Sequence, residues 1–342
     1  MQRILLIRLS AIGDIVFASP MINALRRRYP EAHIAWLTEP AQQSLLEHHP
    51  GLDEVIVWPK AEWKALWRQH RYLTLWRRLR VFAAALKARR FDTAIDMQGL
   101  LKSGLWARLS GAPTRIGLGS REGSRHLMTQ VVEKGGDEHM IGSEYRHLAA
   151  VLGLESDPFP MLVQSDLKSI RHADAVIENH GLTAGFAIIC PFTTRPQKHW
   201  FDDAWQTLAK KLRETFGLPV VMLGGPADRD AARRIAAGTD IIDFTGETTL
   251  LEANALIARC TLLVGVDTGL THLGTAWHKP TVCLFGSTRP YLQTDSPRTR
   301  VIYHALPCSP CRRSPTCNGA FPCLREITAD EVRDEAKKAL SA

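Results

Sequence analysis

The stretch Leu262-Leu-Val-Gly-Val-Asp-Thr-Gly-Leu-Thr-His272 decides the fold class, because it joins a buried strand to the start of a helix. The apolar run 262–266 predicts the strand, and the polar residues 267–269 predict a turn that opens the helix. The first turn of a helix leaves backbone N–H groups unpaired and carries the positive end of the helix dipole. This turn therefore favours an anionic ligand such as the diphosphate of a nucleotide sugar.

Two other apolar runs end in the same way. Thr193-Thr-Arg-Pro-Gln-Lys-His-Trp200 follows the run 186–190, and Ser10-Ala-Ile-Gly-Asp14 follows the run 4–7. A single strand-turn-helix is common in α/β proteins, whereas three polar strand ends in this order form a specific combination. Because ligands of open α/β sheets bind outside the carboxyl ends of the strands, these segments are the candidate functional residues.

The rest of the chain alternates between strand-like and helical patterns, which predicts parallel sheets built from β-α-β units. Strands are predicted at 3–9, 33–37, 54–57, 93–96, 186–190, 219–223, 240–244, 261–266 and 281–285. Helices are predicted at 15–28, 40–48, 74–89, 99–109, 202–216, 227–236, 249–258 and 269–276.

The domain organisation follows from a proline-rich polar segment at 154–160. It predicts two doubly wound, Rossmann-like α/β domains, at 1–160 and 161–327, facing each other across a cleft. A capping-box pattern at Thr328 predicts a final helix within 328–342.

The overall charge of the chain indicates which classes of partner it can bind. A formal net charge of +8 with a pI near 9.2 favours an anionic partner, namely nucleic acid, a phospholipid surface or a phosphorylated substrate. The sequence has no apolar run of about 18 residues and no signal-peptide pattern, so a cytoplasmic protein with reduced thiols is expected. No Gly-x-Gly-x-x-Gly follows the first strand, which argues against a dinucleotide-binding dehydrogenase.

Four motifs together resemble the heptosyltransferases of glycosyltransferase family 9. They are Ser10-Ala-Ile-Gly-Asp14, Asp96-Met-Gln-Gly-Leu-Leu-Lys-Ser103, the segment Thr193–Trp200 and Asp267-Thr-Gly-Leu-Thr-His272. The resemblance implies a GT-B fold whose N-terminal domain binds the acceptor and whose C-terminal domain binds ADP-heptose. It also implies a product in the inner core of lipopolysaccharide, built on Kdo-lipid A at the cytoplasmic face of the inner membrane.

The resemblance implies a role for each matching residue. Asp14 would be the general base that takes the proton of the acceptor hydroxyl, and Lys198 would stabilise the departing ADP. The implied donor-binding residues are Thr193, Thr194, Lys198, Asp228, Thr248, Asp267, Thr268, Gly269 and His272, and the implied acceptor-binding residues are Gly13 and Lys102. Plainer interpretations stay open: Asp14 as a helix cap, Lys198 as a solvated loop lysine, and His272 as a buried structural histidine.

The segment 60–90 is strongly basic and carries three tryptophans. Trp63, Trp67 and Trp76 are interleaved with the basic residues Lys60, Lys64, Arg68, Arg71, Arg77, Arg78, Arg80, Lys87, Arg89 and Arg90. Such a segment is usually a solvated helix face. The tryptophans favour peripheral contact with an anionic membrane surface, because indole rings sit at headgroup level beside cations.

Four cysteines near the C-terminus have a spacing that is compatible with a metal site. The series Cys308, Cys311, Cys317 and Cys323 is compatible with structural zinc, with a reversible disulfide or with reduced thiols, and it departs from the pattern expected for the family. We expect no bound metal and no cofactor.

Together with these motifs, the resemblance implies an inverting, metal-independent glycosyltransferase. It implies transfer of heptose from ADP-L-glycero-β-D-manno-heptose to the Kdo-lipid A acceptor. The alternatives are a different family 9 sugar transferase, a GT-B sugar-nucleotide epimerase, and a non-enzymatic basic protein that binds a membrane or nucleic acid. No nucleic-acid-binding motif is present, so nucleic acid is not an expected partner.

Overall fold

The structure is a computed structural model that describes residues 1–311 and 313–342. The chain forms two compact units. The first comprises residues 1–138 and 142–162, and the second comprises residues 139–141 and 163–342. Each unit is an α/β domain built around its own parallel sheet.

The sheet of the first unit has six parallel strands in the order β3-β2-β1-β4-β5-β6. This is the strand order of a doubly wound Rossmann-like sheet. The strands are β1 (Arg3–Ile7), β2 (His33–Thr38), β3 (Glu54–Val57), β4 (Thr93–Asp96), β5 (Thr114–Leu118) and β6 (Gln130–Val132).

Helices cover both faces of this sheet, which is why residues 4–7 of its central strand are all apolar and buried. Ile4 and Leu6 of β1 pack into one buried cluster, whereas Leu5 and Ile7 pack into another on the opposite face. The helices are α1 (Ile12–Ala18), α2 (Pro20–Arg28), α3 (Gln43–Glu47), α4 (Lys60–Arg68), α5 (Tyr72–Ala88), α6 (Leu101–Leu109) and α7 (Ser143–Val151).

The second unit repeats this architecture. Its six parallel strands lie in the order β12-β11-β10-β7-β8-β9, which is the same doubly wound order counted from its own first strand. The strands are β7 (Ala187–Cys190), β8 (Val220–Met222), β9 (Ile242–Asp243), β10 (Leu262–Val266), β11 (Thr281–Phe285) and β12 (Thr299–Tyr303).

The final helix packs into the core of the second unit. Val332 and Ala336 are fully buried, and the Thr328 hydroxyl caps the helix by accepting a hydrogen bond from the Glu331 N–H at 3.1 Å. The helices of this unit are α8 (Leu167–Asn179), α9 (Asp202–Phe216), α10 (Arg229–Ala236), α11 (Leu250–Ile257), α12 (Gly269–Ala276), α13 (Pro322–Arg325) and α14 (Ala329–Ser341).

The structure confirms the α/β class and the predicted strands and helices, with local differences. The predicted helix 15–28 is two helices, because Pro20 lacks the N–H that would continue α1 and instead begins α2. Elements that the sequence analysis did not identify are β5, β6, β12, α4, α7, α8 and α13.

Each sheet reverses its strand order at one point, and ligands of doubly wound domains bind at the carboxyl ends of the strands beside it. In the first unit the reversal lies between β1 and β4, where Ile7 pairs with Asp96. In the second unit it lies between β7 and β10, where Cys190 pairs with Gly265. The loops after these four strands therefore hold the candidate site residues.

Candidate active site

The second unit gathers several donors around one carboxylate. Asp267 follows β10, and its Oδ2 lies 2.6 Å from Lys198 Nζ and accepts a hydrogen bond from the Thr288 hydroxyl at 2.6 Å. Its Oδ1 lies 3.1 Å from His272 Nε2. Lys198, Asp267, His272 and Thr288 are called the Asp267 cluster below.

The neighbours of Asp267 in this cluster favour its ionised form. Burial opposes ionisation of Asp267, but the hydrogen bond and charge of His272 and the charge of Lys198 outweigh it and hold the pKa of Asp267 well below its usual range. Because the Lys198 side chain is 14% exposed and ion-paired, Lys198 is not a solvated loop lysine.

His272 is fixed from both ring nitrogens. Its Nδ1 lies 3.1 Å from the Tyr291 hydroxyl, and that hydroxyl lies 3.3 Å from Cys283 Sγ on β11. The side chains of His272 and Tyr291 are buried. The geometry fits a histidine that holds Asp267 in place, so the interpretation of His272 as a structural residue is compatible with the cluster.

The start of α12 requires a small residue just before it. A Cβ atom built on Gly265 would lie 2.0 Å from the Thr271 hydroxyl and 2.9 Å from Cys190 Cβ, so no larger residue fits without displacement. The Thr271 hydroxyl instead donates to the carbonyl of Val266 at 2.7 Å, which fixes the turn against the strand end.

The N-terminus of α12 is open to an anion. Thr268 is the N-cap residue, and its side chain makes no capping hydrogen bond. The helix begins at Gly269, which has no side chain to cover the first turn. The Thr268 side chain therefore does not cap the backbone N–H groups of this turn, which favours anion binding at this helix terminus.

The loop after β7 carries the remaining residues predicted to bind phosphate. A short 3₁₀ helix, Pro196–Lys198, places Lys198 on Asp267. His199 Nε2 lies 2.7 Å from the Thr193 carbonyl oxygen and so braces the loop, in which Thr193 is half-buried and Thr194 is exposed.

Two predicted donor-binding residues lie apart from the cluster. Asp228 follows β8, where its Oδ2 accepts a hydrogen bond from the Gly225 N–H at 2.9 Å, and Thr248 lies half-buried after β9. Among the described residues, neither is hydrogen-bonded to the Asp267 cluster. Both follow strands on the β7 side of the sheet, so they lie at its carboxyl edge.

In the first unit, Asp14 lies in the first turn of α1. Its Oδ2 accepts a hydrogen bond from the Ala11 N–H at 3.0 Å and lies 2.6 Å from Arg8 Nη2. Asp14 thus does cap the helix, as the plainer interpretation states. Its side chain is still 40% exposed, so a substrate hydroxyl can reach it. Gly13 is buried beside it in the same turn.

Lys102 lies in the first turn of α6, after β4. Its Nζ lies 3.5 Å from Glu39 Oε1, which is also 2.8 Å from Lys60 Nζ. Burial and the neighbouring charge of Lys60 lower the pKa of Lys102. Two lysines therefore share one carboxylate at the carboxyl edge of the first sheet, which leaves excess positive charge there.

The tryptophans of segment 60–90 differ from the expectation in one respect. Trp63 is buried against Trp58, Phe82 and Trp106, so its assignment to an interfacial surface was wrong. Trp67 and Trp76 are 61% and 55% exposed. None of the helices among residues 1–311 and 313–342 is long and apolar enough to cross a bilayer.

The C-terminal cysteines are unpaired thiols. Cys323 is buried, and Cys308, Cys311 and Cys317 are partly exposed. Burial and the proximity of the other three thiols raise the pKa of Cys323. The part of the chain that the structure describes contains no group of three or more His, Cys, Asp or Glu side chains arranged to hold a metal ion.

Four residues of these sites were not identified from the sequence: Arg8, Glu39, Thr288 and Tyr291. Each follows a strand, as the identified residues do, because Arg8 follows β1, Glu39 follows β2, and Thr288 and Tyr291 follow β11. The polar residues Gly286-Ser-Thr288 directly after the apolar β11 were the available signal.

The chain resembles known glycosyltransferases in sequence. Residues 79–321 match glycosyltransferase family 9 (heptosyltransferase). Lipopolysaccharide heptosyltransferase 1 of Pseudomonas aeruginosa is 29% identical over 325 residues, covering 92% of this chain and 87% of the relative. Lipopolysaccharide heptosyltransferase 2 of Salmonella typhimurium is 28% identical over 360 residues and covers 99% of both chains.

Solved structures show the same fold. A family 9 glycosyltransferase of Veillonella parvula superimposes with a TM-score of 0.86 at 23% identity, covering 99% of this chain and 97% of that one. The ADP-heptose lipopolysaccharide heptosyltransferase II of E. coli superimposes with a TM-score of 0.76 at 25% identity, covering 100% and 99%. The architecture is therefore GT-B, and this chain, an enzyme, belongs to glycosyltransferase family 9.

Proposed function

We propose that this protein transfers heptose from ADP-L-glycero-β-D-manno-heptose to the Kdo-lipid A inner core of lipopolysaccharide, with inversion at the anomeric carbon. The observation that carries the proposal is the Asp267 cluster beside the open N-terminus of α12, in a chain of family 9. The relatives of matching length are lipopolysaccharide heptosyltransferases, which supports the choice of sugar and acceptor.

The donor half of the mechanism belongs to the second unit. Lys198 and the first turn of α12 bind the diphosphate, with Thr193 and Thr194 as further donors, and they stabilise the negative charge on departing ADP. Asp267 holds Lys198 in position through their ion pair and also accepts from His272 and Thr288. Asp228 is placed near the ribose or the adenine of the donor, and Thr248 near its base.

The acceptor half belongs to the first unit. Asp14 accepts the proton of the acceptor hydroxyl while that oxygen bonds to the anomeric carbon. The bond between the anomeric carbon and the phosphate oxygen breaks, and its electron pair leaves with ADP. Gly13 lets the acceptor approach the backbone closely, and Lys102, with Lys60 nearby, attracts the anionic groups of the acceptor.

We also propose that α5 contacts the membrane that holds the acceptor. Of its 17 residues only Leu86 is buried, and Leu73, Trp76 and Val81 are 75%, 55% and 70% exposed. Exposed apolar side chains of this size mark an interaction surface. Leu73, Trp76 and Val81, with Trp67 near the end of α4, are called the α5 surface below.

Two arginines beside the α5 surface favour an anionic lipid as its partner. Arg77 and Arg80 flank its apolar residues, and the Arg80 guanidinium lies 4.6 Å from the centre of the Trp76 ring. Indole rings beside arginines suit the headgroup region of a bilayer. A peripheral position at the cytoplasmic face of the inner membrane follows from this surface together with the acceptor.

A transfer assay with two acceptors tests the proposed reaction. Purified protein is incubated with ADP-heptose and either deacylated Kdo2-lipid A or the same acceptor already carrying one heptose. We expect the mass of the first acceptor to increase by one heptose. An increase confined to the second acceptor assigns the protein to heptosyltransferase II, the near alternative that its relatives also support. No increase with either acceptor contradicts the proposal.

A further inference from the structure

Arg8 is a charged side chain held inside the first unit at the end of β1. Its side chain is 11% exposed, and its Nη1 donates to the Met97 carbonyl at 3.1 Å while its Nη2 lies 2.6 Å from Asp14 Oδ2. Taking a guanidinium out of water is costly unless it is paired and hydrogen-bonded. Asp14 supplies that pairing, so the two residues act as one unit.

The contacts of Asp14 are all on one of its oxygens. Both Arg8 and the Ala11 N–H bind Oδ2. Among the described residues, Asp14 Oδ1 makes no hydrogen bond. The carboxylate is therefore held at one oxygen and presents the other, which is the arrangement that a base needs to meet a hydroxyl in a fixed direction.

A second buried carboxylate, Asp96, lies near Arg8 and raises the alternative that Arg8 is its counter-ion. Burial raises the pKa of Asp96. Of the groups that lower this pKa, Arg8 has the smallest effect. Asp96 has its own donors, namely the N–H groups of Gln98 and Gly99 at 3.0 and 3.1 Å and the Ser103 hydroxyl at 2.9 Å. Asp96 therefore does not need Arg8 as a counter-ion, and Arg8 pairs with Asp14.

We propose that Arg8 is a positioning residue for catalysis, which anchors Asp14 Oδ2 so that Oδ1 faces the acceptor hydroxyl. The proposal rests on the proposed role of Asp14 as general base. The Arg8 side chain is 11% exposed and is engaged by Asp14 and the Met97 carbonyl, so its proposed effect on catalysis passes through Asp14. Loss of Arg8 should lower kcat and leave the affinity for ADP, which binds in the second unit, unchanged.

A double-mutant cycle tests this dependence. The variants are Arg8→Met, Asp14→Asn and the combination, each measured for kcat, acceptor KM and ADP affinity. We expect Arg8→Met to lower kcat about 10- to 100-fold in the wild-type background, a part of what a general base contributes. In the Asp14→Asn background the same change should lower kcat by less than about threefold, because residues that act as a unit are not additive.

Arg8→Lys guards against a variant that fails to fold, because it keeps the buried charge. It should melt near the wild-type temperature and regain part of the lost kcat. An equal loss of kcat from Arg8→Met in both backgrounds overturns the positioning role and makes Arg8 a structural residue. So does an Arg8→Lys protein that is folded but no more active than Arg8→Met. Near-normal activity of Asp14→Asn alone instead overturns the base assignment, so the two failures are distinguishable.

Discussion

At the scale of single residues, the chemistry of the second unit centres on how Asp267 is satisfied. One carboxylate receives an ammonium, an imidazole and a hydroxyl, and so it fixes the position of Lys198 before any ligand arrives. A pre-positioned cation loses little freedom when a phosphate binds, which strengthens binding and catalysis alike.

The first prediction concerns Lys198. Replacing it with alanine removes a charged hydrogen-bond donor worth about 1.5–3 kcal/mol, so ADP affinity should fall about 10- to 100-fold, and transfer should slow. Calorimetry with ADP measures the affinity. Lys210→Ala is the matched control, because its side chain is 77% exposed on α9 and should leave ADP binding unchanged. Unchanged affinity in Lys198→Ala would remove this residue from the donor site.

The sequence predicted part of this chemistry. Asp267, Lys198 and His272 belong to quoted motifs, and the structure brings them into contact. Thr288 and Tyr291 could not be placed, because they approach Asp267 and His272 only when β11 lies beside β10, and that neighbour relation is a property of the sheet. In the sequence, Arg8 is only a polar residue after the apolar run 4–7, and nothing there indicates its pairing with Asp14.

At the scale of elements, most of the strands and helices were predicted, but the 13-residue helix α8 was missed. Helix α9 shows a clear apolar stripe with Trp205, Leu208 and Leu212 buried, and it was found at its observed bounds. Strand β6 has only three residues, which is too short for alternation to be recognised. Helix α4 was hidden by the basic composition of its segment.

A second prediction concerns the turn between α3 and β3. His49 is buried there, and its Nδ1 accepts a hydrogen bond from the Gly51 N–H at 3.1 Å. Burial lowers the pKa of His49 from 6.5 to about 4. The folded protein therefore binds fewer protons than the unfolded chain between these pH values. Stability is fully present above pH 6.5 and is lost as the pH falls towards 4, by about 3 kcal/mol.

Urea unfolding at pH 7, 5.5 and 4.5 measures this linkage. The loss of unfolding free energy on acidification should be smaller in His49→Gln than in the wild type, because glutamine does not titrate. His48→Gln is the matched control, since His48 is the exposed neighbour and should keep the wild-type slope. An identical pH slope in His49→Gln and the wild type would show that His49 does not titrate on unfolding.

At the scale of the whole molecule, the net charge of +8 comes from basic residues in two situations, ion-paired and exposed. Several basic residues of segment 60–90 are committed to ion pairs, since Lys60 pairs with Glu39, Arg78 with Glu62 and Arg89 with Glu54. The α5 surface keeps Arg77 and Arg80 beside exposed apolar side chains. Composition alone predicted an anionic partner, but only the structure separates these exposed cations from the paired ones.

A third prediction concerns vesicle binding. Each basic residue at an anionic surface contributes about 1 kcal/mol, and the attraction fades within a Debye length of about 10 Å at 0.1 M salt. The protein should co-sediment with vesicles containing anionic lipid, and less so as salt rises. Replacing Arg77, Arg78 and Arg80 with glutamine removes the two cations beside the α5 surface together with the neighbouring partner of Glu62. This change should reduce vesicle binding and leave ADP affinity intact.

The control removes the same charge elsewhere. Lys210, Arg213 and Arg233 lie on α9 and α10 with exposures of 77%, 56% and 77%, so their replacement with glutamine matches the change in net charge. This control should bind vesicles like the wild type. Equal losses in both triple variants would mean that net charge, and not the α5 surface, governs binding. Equal binding to neutral and anionic vesicles would contradict the electrostatic account.

The most direct test of the reaction compares wild type with Asp14→Asn in one experiment. Both proteins receive ADP-heptose and deacylated Kdo2-lipid A, and the mass of the acceptor is followed over time alongside ADP affinity. We predict that the wild type adds one heptose, and that Asp14→Asn is slower by about 10²–10⁴-fold with unchanged ADP affinity, as expected for loss of a general base. A folded Asp14→Asn protein that transfers heptose at near the wild-type rate would contradict the mechanism.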